Sequence, residues 1–273
     1  MKVSIAVPSF NYINYLPACL DSLARQTHVD IEVLVADGGS NDGSVDIIER
    51  YCNRDERFLF VSRQDHGQAD AINRAFAHAT GDVLCFLNAD DLYIRDDAIA
   101  RVVDIFCAEP NLDLISFGGV YVDAAGEIIR PVRLRYHPMD GMVWMKYRTA
   151  VLQPGTFWRA NVWRKHPFDI RFHYVFDVEF FWYAFQKYLW NEYSLPIAGY
   201  RLHGNNKSMM VRADRIRELA DFERVKFGPL SFRAYYLDVI AFFVGKSGFN
   251  VRRAIRFFVN SLSYATFYRL PGI

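Results

Sequence analysis

Three oxygen-bearing side chains, Asn88, Asp90 and Asp91, follow a short apolar run of the chain. The run 82–87 is typical of a strand buried on both faces in a parallel sheet. Open α/β sheets bind ligands beyond the carboxyl ends of their strands, which makes this strand end a candidate site. Two adjacent carboxylates repel each other, and a Mg²⁺-type ion that chelates a diphosphate would relieve the repulsion. The alternative is that the two aspartates cap the next helix.

A second acidic strand end is predicted at Asp37, which follows the apolar run 31–36 and precedes a turn-forming cluster at 38–44. In a doubly wound half-sheet, such strand ends lie along one rim and can contact one nucleotide together. The carboxylate of Asp37 could accept a hydrogen bond from N3–H of uracil or thymine, or from ribose hydroxyls. The alternative is an ordinary turn residue.

Strands alternate with helices along the first half of the chain, which predicts an α/β fold with a parallel sheet and helices on both faces. Strands are expected at 3–8, 31–36, 58–62 and 82–87, with helices at 14–26, 44–51 and from 69 to about 80. Further on, the pattern predicts a helix at 97–107, strands at 112–117 and 120–122, a hairpin turn at 123–126, a helix at 177–188 and an extended segment at 193–202. The segment around 153–158 is expected to be irregular, and the chain beyond about 211 helical.

Composition excludes several classes of protein. The chain has 273 residues, 52% of them hydrophobic, and a formal net charge of +1, so it has ample material for a core and no basic bias towards nucleic acid. The four cysteines have no Cys-x-x-Cys spacing, which favours reduced thiols in a cytoplasmic protein. No signal-peptide layout or membrane-spanning apolar run is evident. Neither a Gly-x-Gly-x-x-Gly nor a P-loop motif follows strand one, so a metal would have to neutralise bound phosphates.

Six short motifs in order resemble glycosyltransferase family 2, whose members are inverting enzymes of the GT-A fold that use nucleotide-activated sugars. The resemblance is strong over residues 3 to 95 and looser to about 208. Its motifs are Ala6-Val7-Pro8-Ser9-Phe10-Asn11, Asp37 with the 39–44 turn, Gly67-Gln68-Ala69-Asp70-Ala71-Ile72-Asn73 with 79–82, Asn88-Ala89-Asp90-Asp91, Gln153-Pro154-Gly155-Thr156-Phe157, and Asp177-Val178-Glu179 with Arg201-Leu202-His203. The resemblance implies a GT-A catalytic domain at 1–208, in which 1–95 binds the nucleotide sugar and 96–208 faces the acceptor. A helical extension would follow at 209–273.

The resemblance also implies roles for individual residues. Asp177 would be the general base, and Asp90 and His203 would contact a Mg²⁺ or Mn²⁺ ion on the diphosphate. Weaker candidates for the site are Asp70, Asp91, Glu179 and Arg201. The nucleotide-sugar donor would lie against Pro8, Ser9, Asn11, Asp37, Gly67, Gln68, Asn88, Ala89 and Asp90.

Several of these roles have alternatives. Asn88 stands where the family's motif has an aspartate, and it can bind ribose but contributes no charge. Ile72 stands where many relatives have an arginine. Asp177 could simply cap its helix, Glu179 competes with it as the base, and His203 could be structural.

The resemblance implies transfer of a sugar from a UDP- or dTDP-linked donor to a hydroxyl of a glycan or lipid-linked acceptor. A Gln-x-x-Arg-Trp motif is absent, since Gln186 and Trp190 only echo it, which favours a non-processive enzyme. A sugar-phosphate nucleotidyltransferase and a non-catalytic sugar-nucleotide-binding module are the alternatives. An amphipathic, arginine-flanked helix near 250–262 indicates contact with the inner face of an anionic membrane, or else packing on the catalytic domain or a homodimer contact.

Overall fold

The computed structural model describes residues 1–62, 65–132, 152–204 and 213–228. The chain divides into two compact units, Met1–Gly204 and Asn205–Ile273. In the described part of the first unit the strands are β1 Val3–Ser9, β2 Ile31–Asp37, β3 Phe58–Ser62, β4 Val83–Phe86, β5 Leu92–Tyr93, β6 Leu114–Val122, β7 Ile128–Pro131, β8 Thr156–Arg159 and β9 Trp190–Arg201. Its helices are α1 Leu16–Ala24, α2 Ser44–Arg54, α3 Gln68–Ala77, α4 Ala98–Ala108, α5 Ala160–Lys165 and α6 Phe176–Lys187, with a 3₁₀ turn at Gln153–Gly155.

The strands of the first unit form one sheet in the order β3-β2-β1-β4-β8-β6-β9-β5, with β7 paired to β6. The strands β3, β2, β1 and β4 are mutually parallel, as the alternating pattern predicted. Beyond β4 the sheet is mixed, because β8 runs antiparallel to both β4 and β6 while β6 and β9 are parallel. The expectation of a mostly parallel sheet therefore holds for the N-terminal half and has to be corrected for the rest.

Both faces of the sheet are covered, and adjacent strand residues show this because their side chains point to opposite faces. Cys85 belongs to a core cluster that also contains buried residues of α1, α2 and α4. Phe86, the next residue, packs instead against an aromatic cluster that includes Trp158, Phe168 and Phe176. Helix α3 packs on β1, β2 and β3. The predicted helices on both faces are confirmed.

Strand β6 corrects the prediction of two short strands at 112–117 and 120–122. The strand continues through Gly118 and Gly119, although its register with β9 shifts there. A Cβ atom on Gly119 would lie 2.4 Å from the carbonyl oxygen of Ala198, and one on Gly118 would lie 2.9 Å from that of Ser194. The glycines therefore allow close approach of β9 rather than ending the strand.

The segment expected to be irregular contains the second correction. Its residues form the 3₁₀ turn and then β8, whose four residues fill the space between β4 and β6. A four-residue run of Thr-Phe-Trp-Arg has too little periodicity to predict a strand, and its pairing partners are distant in sequence. Helix α5, only six residues long, was not predicted either.

The second unit contains helix α7, Ala213–Phe227, within the expected helical region. The amphipathic segment predicted near 250–262, with its membrane or dimer role, lies outside the described residues. In the parts of the chain that the structure describes, no helix is both long enough and apolar enough to cross a bilayer.

Candidate active site

The sheet brings together two side chains that are 113 positions apart in the sequence. Asp90 follows β4 and His203 follows β9, and the Nε2 atom of His203 lies 2.9 Å from Oδ2 of Asp90. Both side chains are largely buried, with exposed fractions of 10% and 4%. Both were predicted metal contacts, and they meet where the parallel half of the sheet ends.

Two tyrosines surround the imidazole of His203. The ring of Tyr15 stacks on it with centroids 4.6 Å apart, and the ring of Tyr12 meets it edge-on at 6.5 Å. Both tyrosines lie in the segment between β1 and the body of α1. Nothing in the sequence pattern singles them out, since their partner His203 is nearly 190 residues away.

The carboxylate of Asp91 is completely buried beside Asp90. Its Oδ1 atom accepts a hydrogen bond from the backbone N–H of Arg201 at 2.9 Å, and its Oδ2 atom accepts one from Asn88 at 3.4 Å. Burial raises the pKa of Asp91 well above its usual range, the charge of Asp90 raises it further, and Arg201 and Asn88 oppose the increase. The end of β4 therefore holds two adjacent buried carboxyl groups, Asp90 and Asp91.

Asn88 is the centre of a side-chain network at the end of β4. Its Oδ1 atom accepts a hydrogen bond from Gln68 at 2.6 Å, and its Nδ2 group donates to Oε1 of Gln153 at 3.3 Å. Gln153 in turn donates to the carbonyl oxygen of Phe86 at 2.6 Å. The network joins Gln68 and Asn88, which were both predicted to bind the nucleotide sugar, and it adds Gln153 to the candidate site.

Asp37 is the last residue of β2 and is wholly buried. Its Oδ1 atom accepts hydrogen bonds from the backbone N–H groups of Gly39 and Ser40, and its Oδ2 atom accepts one from the hydroxyl of Ser40. Asn11, which has a φ of 58°, accepts a hydrogen bond from the N–H of Asn41. The two side chains therefore hold the loop after β2, and direct contact of Asp37 with a base stays a prediction.

The end of β1 lies beside this loop. Ser9 is paired with Asp37 in the parallel register, one residue beyond Pro8. The Oγ atom of Ser9 is buried and has no hydrogen-bond partner among the residues that the structure describes. A buried hydroxyl without a partner is uncommon, and a bound ligand at this edge would provide one.

Gly67 has a φ of 111° and lies directly before α3. A Cβ atom there would be 2.4 Å from Cε1 of His173, so the glycine permits close approach of the segment that precedes α6. Asp70 accepts a hydrogen bond from the N–H of His66 and forms an ion pair with Arg74. These contacts assign Asp70 to the support of the 65–67 turn.

Asp65 is a residue near the site that sequence reasoning missed. Its Oδ1 atom accepts from the N–H of Gly67 at 2.8 Å, and a Cβ atom on Gly38 would lie 3.0 Å from its Oδ2 atom. Its carboxylate thus lies beside the loop that follows Asp37. An Asp two positions before a glycine is common in turns, so its type and position alone carried no signal.

Helix α6 begins near the same edge of the sheet. The ring of Phe176, the residue before Asp177, lies 6.0 Å from that of Phe86, the last residue of β4. Asp177 is partly exposed in the first turn of the helix. Glu179 is buried, and its Oε2 atom lies 2.9 Å from Nε2 of His166. Of the two competing bases, Asp177 is the more accessible to an acceptor.

The donor set at the end of β4 fits a divalent metal that shares its coordination with a substrate. In the described parts of the chain, no group of three or more His, Cys, Asp or Glu side chains is placed to hold a metal by itself. Mg²⁺ usually takes one or two carboxylates and completes its shell with substrate phosphates and water. Asp90, with the neighbouring His203, could supply that small share of protein ligands.

The model of "Glycosyl transferase family 2" matches residues 4–182, which are most of the chain and run from the second residue of β1 into α6. The chain belongs to glycosyltransferase family 2. It is therefore a glycosyltransferase enzyme, and the resemblance seen in the sequence is confirmed. The nucleotidyltransferase alternative is not favoured by this assignment.

A curated relative agrees with the family, and two solved structures share the fold. A "PGL/p-HBAD biosynthesis glycosyltransferase" of Mycobacterium tuberculosis is 33% identical over 179 residues, which are 65% of this chain and 67% of the relative. The S. aureus protein TarS, solved with UDP-GlcNAc, superposes with a TM-score of 0.61 at 18% identity and covers 82% of this chain and 67% of that one. The mannosyltransferase PcManGT from Pyrobaculum calidifontis, solved with GDP-Man and Mn²⁺, gives 0.60 at 17% identity over 98% and 81%. The two structures confirm the GT-A fold.

Proposed function

We propose that this family 2 glycosyltransferase is an inverting, metal-dependent and non-processive enzyme. It transfers one sugar from a nucleoside-diphosphate sugar, with a uridine- or thymidine-type base, to a hydroxyl of a glycan or lipid-linked acceptor. The observation that carries the proposal is the 2.9 Å contact between Asp90 and His203 at the end of the parallel strands. A carboxylate and an imidazole held together there are suited to a metal-bound diphosphate.

The donor would lie along the ends of β1, β2 and β4. The unpartnered hydroxyl of Ser9 and the network around Asn88 supply polar groups at this edge, and the loop held by Asp37 and Asn11 shapes one side. The neighbours TarS and PcManGT were solved with UDP-GlcNAc and GDP-Man, which supports a nucleotide sugar as the donor class. They carry different bases, so the uridine or thymidine preference rests on the sequence resemblance.

In the proposed reaction the acceptor hydroxyl attacks the anomeric carbon as the nucleoside diphosphate leaves. Asp177 takes the proton of the attacking hydroxyl, a role that requires it to come within about 3 Å of that oxygen. Asp90 and His203 would hold a Mg²⁺ or Mn²⁺ ion, which when bound stabilises the negative charge of the leaving diphosphate. A single displacement with one base inverts the configuration of the anomeric carbon, unlike the two-carboxylate route of retaining glycosidases.

The test is release of nucleoside diphosphate from a small panel of nucleotide sugars, with Mn²⁺ and with EDTA. We expect turnover that requires the metal and that is lost in Asp90→Ala while the folded protein persists. Asp104→Ala, which changes an exposed carboxylate on α4, is the control and should leave turnover unchanged. Full activity in EDTA or in Asp90→Ala would refute metal dependence. Heat on titration of a donor without any turnover would favour the binding-module alternative.

A further inference from the structure

Arg201, the last residue of β9, is a buried cation with an exposed fraction of 1%. Its Nε–H group donates to the carbonyl oxygen of Asp90 at 2.7 Å. Its Nη1 group donates to the carbonyl oxygens of Asp123 and Ala124 at 3.1 and 2.8 Å. One side chain therefore ties the backbone of a candidate metal ligand to a hairpin turn more than 30 residues away.

The hairpin turn between β6 and β7 gives this tie a firm anchor. The Oδ1 atom of Asp123 accepts hydrogen bonds from the N–H groups of Ala125 and Glu127. Gly126 has a φ of 96°, which the turn requires. The turn is thus fixed internally, and its carbonyl oxygens present a defined surface to the guanidinium.

The end of β9 contacts the candidate site at two further points. The backbone N–H of Arg201 donates to Asp91, and His203, two residues later, contacts the carboxylate of Asp90. Tyr15 lies between the two side chains: its ring stacks on His203 and is 5.2 Å from the guanidinium carbon of Arg201. Movement of Arg201 would therefore shift Asp90 and His203 relative to each other.

We propose that Arg201 is a positioning residue that fixes the Asp90–His203 pair in the geometry required for metal binding. The inference rests on the proposed function, in which this pair holds the metal of the donor diphosphate. Supporting contacts to metal ligands generally affect metal affinity strongly, by about 10- to 100-fold. The planar guanidinium donates along two edges at once, towards Asp90 and towards the turn, and a lysine ammonium cannot reproduce this fork.

Arg159 offers a matched control at the opposite end of β4. Its side chain also donates to three carbonyl oxygens, those of Phe106, Pro110 and Leu112, and it lies 5.0 Å from the ring centroid of Phe106. It is paired with Val83, at the amino end of the strand. Arg159→Lys and Arg201→Lys therefore make the same chemical change at side chains with similar hydrogen-bond partners, with only one of them near the site, although Arg159 is less buried than Arg201.

The experiment measures thermal stabilisation of the full chain by Mn²⁺ at a fixed, saturating concentration of UDP, dTDP or GDP, whichever stabilises the wild type most. We expect Arg201→Lys to raise the Mn²⁺ concentration for half-maximal stabilisation by about 10- to 100-fold. Arg159→Lys should leave it within about twofold of the wild type, even where its own melting temperature falls. Lysine keeps the positive charge of the side chain. A loss of Mn²⁺ affinity in Arg201→Lys would therefore show that the geometry of the guanidinium is required in addition to its charge.

A second variant covers the case in which Arg201→Lys does not fold. Asp123→Ala removes the internal hydrogen bonds of the turn and leaves Arg201 in place. It should weaken Mn²⁺ binding in the same direction as Arg201→Lys, but by a smaller factor. Equal Mn²⁺ midpoints for the Arg201, Asp123 and Arg159 variants would overturn the positioning role while leaving the proposed function intact. Absence of Mn²⁺-dependent stabilisation in the wild type with all three nucleotides would overturn both.

Discussion

Polar side chains are buried at both ends of the parallel strands β1, β2 and β4, but the carboxyl groups at the two ends have different surroundings. At the amino end, Glu32 accepts hydrogen bonds from the hydroxyl of Ser4 and from both the N–H and hydroxyl of Thr80, and it forms an ion pair with Lys2. At the carboxyl end, Asp90 and Asp91 are adjacent: Asp90 contacts His203, and Asp91 accepts hydrogen bonds from the backbone N–H of Arg201 and from Asn88.

The pKa values of two buried carboxyl groups express this difference. Burial raises the pKa of Glu32, but the hydrogen bonds from Lys2, Ser4 and Thr80 outweigh it and lower the pKa to about 2. For Asp91 burial and the charge of Asp90 prevail, so the pKa is raised well above its usual range. At the amino end the partners of Glu32 stabilise its charged form, whereas at the carboxyl end burial and the adjacent Asp90 disfavour the charged form of Asp91, which a bound cation would favour. We therefore expect the carboxyl group at the amino end to contribute to stability and those at the carboxyl end to contribute to the reaction.

The largest expected effect is at the carboxyl end. Asp177→Asn keeps the size of the side chain but cannot take a proton at neutral pH. We expect kcat to fall by about 10²- to 10⁴-fold with near-normal donor binding and an unchanged melting temperature. Steady-state kinetics with calorimetric donor titration will measure this. If kcat survives in Asp177→Asn and is lost in Glu179→Gln, the base is Glu179.

The counterpart at the amino end is Glu32→Gln. Glu32 now accepts hydrogen bonds from N–H and ammonium groups, and in the variant the amide NH₂, itself a donor, would face some of these donors. We therefore expect a loss on the order of 2–3 kcal/mol in the free energy of unfolding. The value of kcat in the folded variant should not change. Glu49→Gln, at an exposed position of α2, should stay within about 0.5 kcal/mol of the wild type in a urea titration. A fall in kcat with intact stability would remove the distinction between the two ends.

Acid titration of the wild type and of Glu32→Gln gives a further test of the comparison. Because the folded pKa of Glu32, about 2, lies below the unfolded value of 4.5, its contribution is fully present above about pH 4.5. The contribution is lost as the pH falls from 4.5 towards 2. We therefore expect the stability difference between the wild type and Glu32→Gln to shrink over that range. A constant difference down to pH 2 would show that Glu32 is not held ionised by its partners.

The sequence predicted what is local in this molecule. The four parallel strands, the helices between them and the acidic strand ends at Asp37 and Asp90 follow from periodicity and short motifs, and the structure has these elements at nearly the expected bounds. The prediction that His203 contacts a metal followed from the family resemblance alone. Its contact with Asp90 could not be derived from spacing, because it depends on β9 being brought next to β5 and β6.

The parts that the sequence did not predict are those in which side chains or short strands meet distant partners. Tyr15 and Asp65 are ordinary residues in the sequence, and each lies near the candidate site only through the packing of segments far apart in the chain. Strand β8 was missed for the same reason, since four residues form a strand only because β4 and β6 flank them. Gly118 and Gly119 misled in the other direction, because they permit close packing inside a strand.

The smallest expected effect tests where Asp37 belongs in the comparison. Its carboxylate is at the catalytic end of the sheet, yet it is saturated by the N–H groups of Gly39 and Ser40 and the hydroxyl of Ser40, much as Glu32 is saturated at the other end. In Asp37→Asn the amide oxygen can still accept from both N–H groups, while the amide nitrogen can donate to the Ser40 hydroxyl. We therefore expect a stability loss below about 1 kcal/mol and UDP affinity within about threefold of the wild type.

Asp37→Ala is the matched variant, because it leaves the two N–H groups and the hydroxyl without their acceptor. It should cost about 1–3 kcal/mol and loosen the loop, with a correspondingly larger loss of nucleotide affinity. Thermal unfolding and calorimetric titration of UDP into both variants will separate the two roles. A tenfold or greater loss of UDP affinity in Asp37→Asn at unchanged stability would show that Asp37 contacts the base directly. In that case the saturated hydrogen bonds of the loop would rearrange when the nucleotide binds, and Asp37 would belong with Asp90 rather than with Glu32.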